Sequence, residues 1–167
     1  MEYISTRNNK KIFSFKEVFL KGLAPDGGLF IPKKIPFYKH EELDKFRKFS
    51  YQELAAKIIF EFCSQEFKRD EIQNLVNNSY KEFRVNNVVA IKRLKKINLL
   101  ELFHGPTLAF KDIAMQVIGN MYDHLQVASD KKVNIVVATS GDTGSAAIAA
   151  LNDRKNINVF DIAGHES

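Results

Sequence analysis

The chain has 167 residues, 45% of them hydrophobic, and a net charge of +5; this is the make-up of one ordinary globular domain or of part of a larger protein, and it excludes a disordered or collagen-like chain. The single cysteine, Cys63, excludes an internal disulfide and a cysteine-built metal site, and His40, His104, His124 and His165 have no close metal-ligand spacing. No apolar run is long enough to form a signal-peptide core or a membrane span, so a cytoplasmic chain without membrane attachment is expected.

Residues 2–6 read as a short strand. Residues 13–21 carry Phe15, Val18 and Phe19 at helical spacing and stop at Gly22, a residue suited to a helix C-terminus. Residues 23–36, rich in glycine and proline, read as turns, and the charged stretch 38–49 reads as a connection. Ser50 and Glu53 stand in the positions of a capping box. Leu54, Ala55, Ile58, Ile59 and Phe62 then form an apolar helical face, and Cys63 reads as a small buried hydrophobe. Asp70 is expected to cap a further helix with Ile72, Leu75, Val76 and Tyr80 on one side. Residues 85–91 and 97–103 read as strands. The densest basic patch, Lys92-Arg93-Leu94-Lys95-Lys96, lies between them; with no nucleic-acid motif beside it, it reads as a solvated edge, and no nucleic-acid partner is expected.

Two stretches carry chemistry. The first is Glu101-Leu102-Phe103-His104-Gly105-Pro106-Thr107-Leu108-Ala109-Phe110-Lys111-Asp112. His104 to Thr107 is turn chemistry, and helix-compatible residues follow to about residue 128. Lys111 therefore stands near a helix start among Leu108, Ala109, Phe110, Ile113 and Ala114. A solvated surface lysine is the ordinary reading of any such residue. A desolvated lysine at a helix N-terminus has its ammonium form disfavoured, and the neutral amine attacks carbonyl carbons.

The second stretch begins with the β-branched run 133–138. It continues through Thr139-Ser140-Gly141-Asp142-Thr143-Gly144-Ser145 into the helix former 146–151, and a strand follows at 157–160. This is a strand–helix–strand unit of a parallel sheet, and ligands of such sheets sit beyond the carboxyl ends of the strands. Residues 140–144 occupy that place. The ordinary alternative is a helix capped by Ser140, Asp142 or Thr143. Without a Gly-x-x-x-x-Gly-Lys motif, a nucleotide site is weakly supported.

Together with Gly22-Leu23-Ala24-Pro25-Asp26-Gly27-Gly28-Leu29-Phe30, and with Tyr3, Ser5, Thr6 and Arg7 at the start, these stretches resemble the threonine synthase family of fold type II (tryptophan-synthase-β-like) enzymes. The resemblance implies an α/β fold: a mostly helical N-terminal region, 1–84, and the start of a cofactor-binding α/β domain with parallel βαβ units, 85–167. It implies pyridoxal 5'-phosphate as cofactor and the conversion of O-phospho-L-homoserine and water to L-threonine and phosphate. Lys111 matches the family's Schiff-base lysine, flanked by Phe110 and Asp112. Asp142 matches a loop residue near the cofactor's ring hydroxyl, where related enzymes often carry Asn. Ser140, Gly141, Thr143 and Gly144 would cradle the cofactor or the substrate carboxylate, with Thr139, Ser140 and Thr143 facing the substrate.

Members of the family are much longer, and their loop for the cofactor phosphate lies past residue 167. The expectation is an N-terminal portion with an incomplete site, inactive alone and able to self-associate through exposed surface. The alternatives are another fold type II enzyme, such as a serine/threonine dehydratase or a phospholyase-like relative, and a non-catalytic scaffold.

Overall fold

The computed structural model describes residues 1–126, 132–139 and 141–162. The chain divides into two compact units, Met1–Asn74 and Leu75–Ser167.

In the first unit, β1 (Tyr3–Ser5) pairs antiparallel with β2 (Phe30–Pro32), placing Ile4 opposite Ile31. On its other edge Tyr3 exchanges both backbone hydrogen bonds with Phe13, at 3.0 and 2.9 Å. Helix α1 (Phe15–Lys21) opens on a capping box: the Ser14 hydroxyl accepts from the Glu17 N–H and the Glu17 carboxylate from the Ser14 N–H. Gly22, at φ +70°, closes it as expected. Strand β2 lies inside the stretch read as turns. Three residues ending in a proline carry no alternation to detect. The stretch read as a connection contains α2 (His40–Phe46), where the Glu42 carboxylate accepts from the Lys39 N–H.

Helix α3 (Tyr51–Cys63) starts at the Ser50–Glu53 capping box, as its sequence predicts. Its fully buried positions are Ala56 and Cys63, while Ile58 stays 38% exposed, so the buried face is rotated from the expected one. Cys63 is buried, donates to the Ile59 carbonyl at 3.2 Å, and has its thiol pushed up to about 12 by burial. Helix α4 (Arg69–Tyr80) crosses the division between the units. Asp70 falls in its first turn rather than capping it, and the Glu71 carboxylate accepts from the Lys68 N–H instead. Ile72, Leu75, Val76 and Tyr80 are buried, as their spacing predicts.

A polar knot ties β1 to the Ala24–Leu29 turn. Asp26 Oδ1 accepts from the Ser5 hydroxyl at 2.7 Å and from the Gly28 N–H at 2.9 Å, and Thr6 Oγ1 accepts from the Leu29 N–H at 3.0 Å. The Ser5 hydroxyl, and after it the Gly28 N–H, hold the Asp26 carboxyl below the ordinary carboxylate range. A carboxyl lowered on folding contributes stability that is complete above its unfolded-state pKa of about 3.9 and is lost as pH falls through the lower folded-state value. Asp26→Asn is therefore expected to lower the melting temperature at neutral pH, with the difference from the unsubstituted chain shrinking in acid. A difference independent of pH would contradict this account.

In the second unit, β3 (Ala90–Arg93) and β4 (Asn98–Glu101) form an antiparallel hairpin, with Ala90 opposite Glu101 and Arg93 opposite Asn98. The basic patch forms the end of β3 and the hairpin tip, and all of its residues are exposed. Strand β3 begins later than expected because 85–89 form a turn around Val88, which is fully buried at φ +64°.

Helix α5 (Asp112–Gln126) is followed by β5 (Val133–Val137), α6 (Asp142–Leu151) and β6 (Ile157–Asp161). Strands β5 and β6 are parallel, with Val133 opposite Ile157 and Val137 opposite Asp161, and α6 is their crossover. Ala147, Ala150, Leu151 and Ile157 form a core against which Ile135, Val137, Val159 and, from α5, Met115 and Tyr122 pack. The alternate residues Val136 and Phe160 are 61% and 52% exposed. Among the described residues, no helix is long and apolar enough to cross a membrane.

Candidate functional site

The 104–111 turn is built on a buried carboxylate. Asp112 has no exposure, and its side chain accepts from the Thr107 N–H and the Thr107 hydroxyl, both at 2.8 Å. Gly105 faces it so closely that a Cβ there would lie 2.5 Å from Asp112 Oδ2. Leu108, three residues before the lysine, takes φ +66°, a left-handed conformation that costs a non-glycine residue about 1 kcal/mol.

The Lys111 carbonyl then accepts from the Ala114 and Met115 N–H groups, at 3.1 and 2.9 Å, and α5 begins. Lys111 is partly exposed, with its Nζ 4.9 Å from the Phe110 ring centroid. Ala109 is buried, whereas Leu108 and Phe110 are about half exposed, so the apolar residues around Lys111 form an open rim rather than a closed pocket. Upstream, His104 pairs with Glu101 at 3.2 Å, and its carbonyl accepts from the Arg84 N–H at 2.9 Å.

The turn from β5 to α6 differs from an ordinary capped start. Gly141, at φ +101°, is the N-cap residue, and no side chain caps the helix. Asp142 is the first helical residue, Thr143 follows, and Ser140 lies outside the described residues. The Gly141 carbonyl accepts from the Ser145 N–H at 3.1 Å. Gly144 is buried, and a Cβ there would lie 3.0 Å from the Thr139 carbonyl oxygen, so this turn packs on itself. A helix start with no side-chain cap presents backbone donors at the positive end of the helix, which suits an anionic group.

Helices α5 and α6 meet where Gly119 touches Ala150: a Cβ on Gly119 would lie 2.5 Å from the Ala150 oxygen. Arg154, beyond α6, donates to the Ala150 carbonyl and to Asn120 Oδ1 and forms an ion pair with Asp123. The Gly119–Ala150 contact lies seven residues after the first residue of α5 and eight after the first residue of α6, so Lys111 and the uncapped start of α6 are about equally far from it along their helices. Sequence reasoning missed the Thr107–Asp112 bonds, Gly119 and Arg154. A glycine within the α5 pattern was the one available signal, since it marks a close approach. Among the described residues, no group of three or more His, Cys, Asp or Glu could hold a metal ion.

A lysine just before one helix and an uncapped, glycine-opened second helix, the two helices packed together beside a parallel strand pair, place this segment among α/β folds. Residues 2–80 match the family model for the threonine synthase N terminus. The chain is 41% identical over 170 residues to a threonine synthase of Schizosaccharomyces pombe, covering 96% of this chain and 33% of that protein. It is 38% identical to a threonine synthase of Pseudomonas aeruginosa, covering 99% and 35%. The crystal structure of PLP-bound threonine synthase from Brucella melitensis superposes with a TM-score of 0.90 at 39% identity, covering 96% of this chain and 35% of that one. Residues 2–80 thus match the threonine synthase N-terminal model, and the chain as a whole is similar in sequence and fold to the N-terminal part of threonine synthases. It spans about a third of the length of these relatives.

Proposed function

We propose that this chain carries the lysine-bearing part of a threonine synthase active site, serving the conversion of O-phospho-L-homoserine and water to L-threonine and phosphate with pyridoxal 5'-phosphate. The observation that supports this best is the packing of α5 on α6 at Gly119 and Ala150, about equally far along the helices from Lys111 and from the uncapped start of α6. The residues present fit the cofactor. A Cβ on Gly141 would meet nothing within 4 Å, which leaves room at the helix start. Lys111 is partly exposed, with its amine beside the exposed Phe110 ring.

Lys111 would hold the cofactor's aldehyde through its amine, and Phe110 would offer an apolar wall. Gly141, Asp142, Thr143 and Gly144, with Ser140 and Thr139 before them, would receive its polar groups and the substrate carboxylate. The bound cofactor supplies an electron sink for charge developing at the substrate's Cα. The Lys111 amine would take the Cα proton and return it to a neighbouring carbon. Asp112 contributes indirectly, by holding Thr107 and with it the turn that delivers Lys111. On this reading residues 1–84 are scaffold and 85–167 begin the cofactor domain. A cytoplasmic setting fits a chain whose one thiol is buried and unpaired.

The test is chemical trapping. The purified chain is mixed with pyridoxal phosphate, reduced with borohydride and mapped by mass spectrometry, with Lys111→Ala as control. One adduct, on Lys111 and absent from the control, is expected. Labelling scattered over many lysines and unchanged in the control would refute the proposal.

A further inference from the structure

We infer that Arg154, which no motif marks, is the positioning residue that sets the level of α5 against α6 and so the level of Lys111 against residues 141–144; this rests on the reading of Lys111 given above. The interface it clips is close. Gly119 meets Ala150, and Ala146, Ala147 and Ala150 are buried along α6. Met115 and Tyr122 of α5 pack against the same α6 core, and only a glycine fits against the Ala150 oxygen, so packing favours one level and directional bonds fix it finely.

The Arg154 guanidinium spends its donors on both helices: Nε on the Ala150 carbonyl, Nη1 on Asn120 Oδ1 and on the Asp123 carboxylate. Its side chain is only 15% exposed. Asn120 is fixed in turn, donating to the Ser79 hydroxyl at 2.8 Å and to the Gln116 carbonyl at 3.0 Å. Ser79 donates to the Leu75 carbonyl at 2.8 Å, and the Tyr80 hydroxyl donates to the Ile113 carbonyl at 3.1 Å. Helix α5 is thus held by the last turn of α4 and by Arg154 beyond α6. A lysine could not replace the planar fork, because an ammonium does not present several donors in fixed directions.

The experiment uses the 167-residue chain with nitroxide labels at Ala114→Cys and Ala149→Cys, both exposed positions, while the buried Cys63 stays unlabelled. Pulsed electron resonance then reports the α5–α6 distance in the otherwise unsubstituted chain and in Arg154→Met, Arg154→Lys and the milder Asp123→Asn. In parallel, borohydride trapping with pyridoxal phosphate is run on the unlabelled variants below their melting temperatures, with protection of Cys63 from thiol reagents as the check on folding. The expected result is one narrow distance in the unsubstituted chain, broadened or displaced by about 2 Å in Arg154→Met. The Lys111 adduct should fall about tenfold in the same variant while Cys63 stays protected. Arg154→Lys should not restore either quantity, and Asp123→Asn should move both in the same direction by less.

An unchanged distance overturns the clip, and a changed distance with unchanged Lys111 labelling overturns its role in positioning the lysine. Where Arg154→Met fails to fold, Asp123→Asn is judged by the same two outcomes. If the unsubstituted chain forms no Lys111 adduct, the active-site reading fails, and the distance measurement still decides whether Arg154 sets the helices.

Discussion

Replacing Asp112 by alanine is expected to cost the chain about 3 kcal/mol and to release the 104–108 turn. The carboxylate has no exposure and accepts two hydrogen bonds from Thr107. Hydrogen bonds to charged acceptors contribute about 1.5–3 kcal/mol each, and they do not add fully when two share one acceptor group. The substitution also removes a negative charge from the positive end of α5, a smaller loss of about 0.5 kcal/mol. Asp112→Asn separates these contributions. Its oxygen can accept from the Thr107 N–H while its N–H donates to the Thr107 hydroxyl oxygen, so both contacts survive as neutral hydrogen bonds and an intermediate loss is expected. Urea unfolding should show the midpoint falling at constant slope. A loss below about 0.5 kcal/mol for Asp112→Ala would mean that the turn holds without its carboxylate. A second consequence reaches the chemistry: the labelling of Lys111 by pyridoxal phosphate should lose its selectivity in Asp112→Ala, because Lys111 is delivered by the turn that Asp112 holds.

Gly119→Ala is the second large effect, and its sign is diagnostic. In the interior of an exposed helix, alanine in place of glycine stabilises by about 1 kcal/mol. Here the added Cβ would lie 2.5 Å from the backbone oxygen of Ala150 and 2.8 Å from Arg154 Nη2. The arginine tip can move, but the backbone oxygen cannot swing aside, so the helices must separate. Overpacking of that kind costs about 1–3 kcal/mol and occasionally more. With the propensity gain set against the upper end of that range, a net loss of about 2 kcal/mol is expected. A stabilised variant would show that α5 and α6 do not approach as closely as described. Thermal and urea unfolding of the single substitution decide the matter.

Much of this architecture is written locally and was readable. The Ser50–Glu53 capping box needs only two residues at fixed spacing, and it starts α3 where expected. The buried side of α4 follows from four apolar residues at helical spacing. The parallel unit follows from a β-branched run, small turn residues and a helix former in succession. What escaped has little local signature. In α2 the charges of 40–45 mask an apolar face reduced to Leu43 and Phe46. Strand β2 is too short for any alternation. Ile58 sits on the expected face of α3 yet stays partly exposed, because which stripe is buried depends on what packs against it.

The candidate site divides in the same way. Lys111 and the 139–144 turn were visible as residue types in a suggestive order. The Asp112–Thr107 bonds, the missing side-chain cap at Gly141 and the Arg154 clip were not, because each depends on which side chain turns toward which backbone after the chain has folded.

The open side of the β5–β6 pair has a consequence for handling the molecule. Val136, Phe160 and Ile162 stand in water there, on a sheet of two strands whose far edges are unpaired among the described residues. Such edges accept further strands readily. Mutual repulsion from the net charge of +5 opposes that. The repulsion weakens as the Debye length contracts from about 30 Å at 0.01 M salt to about 8 Å at 0.15 M, whereas contact between apolar faces does not. The colloidal behaviour of this chain is therefore expected to invert the usual salting-in of a basic protein: clear at low ionic strength, and turbid with rising salt at fixed concentration.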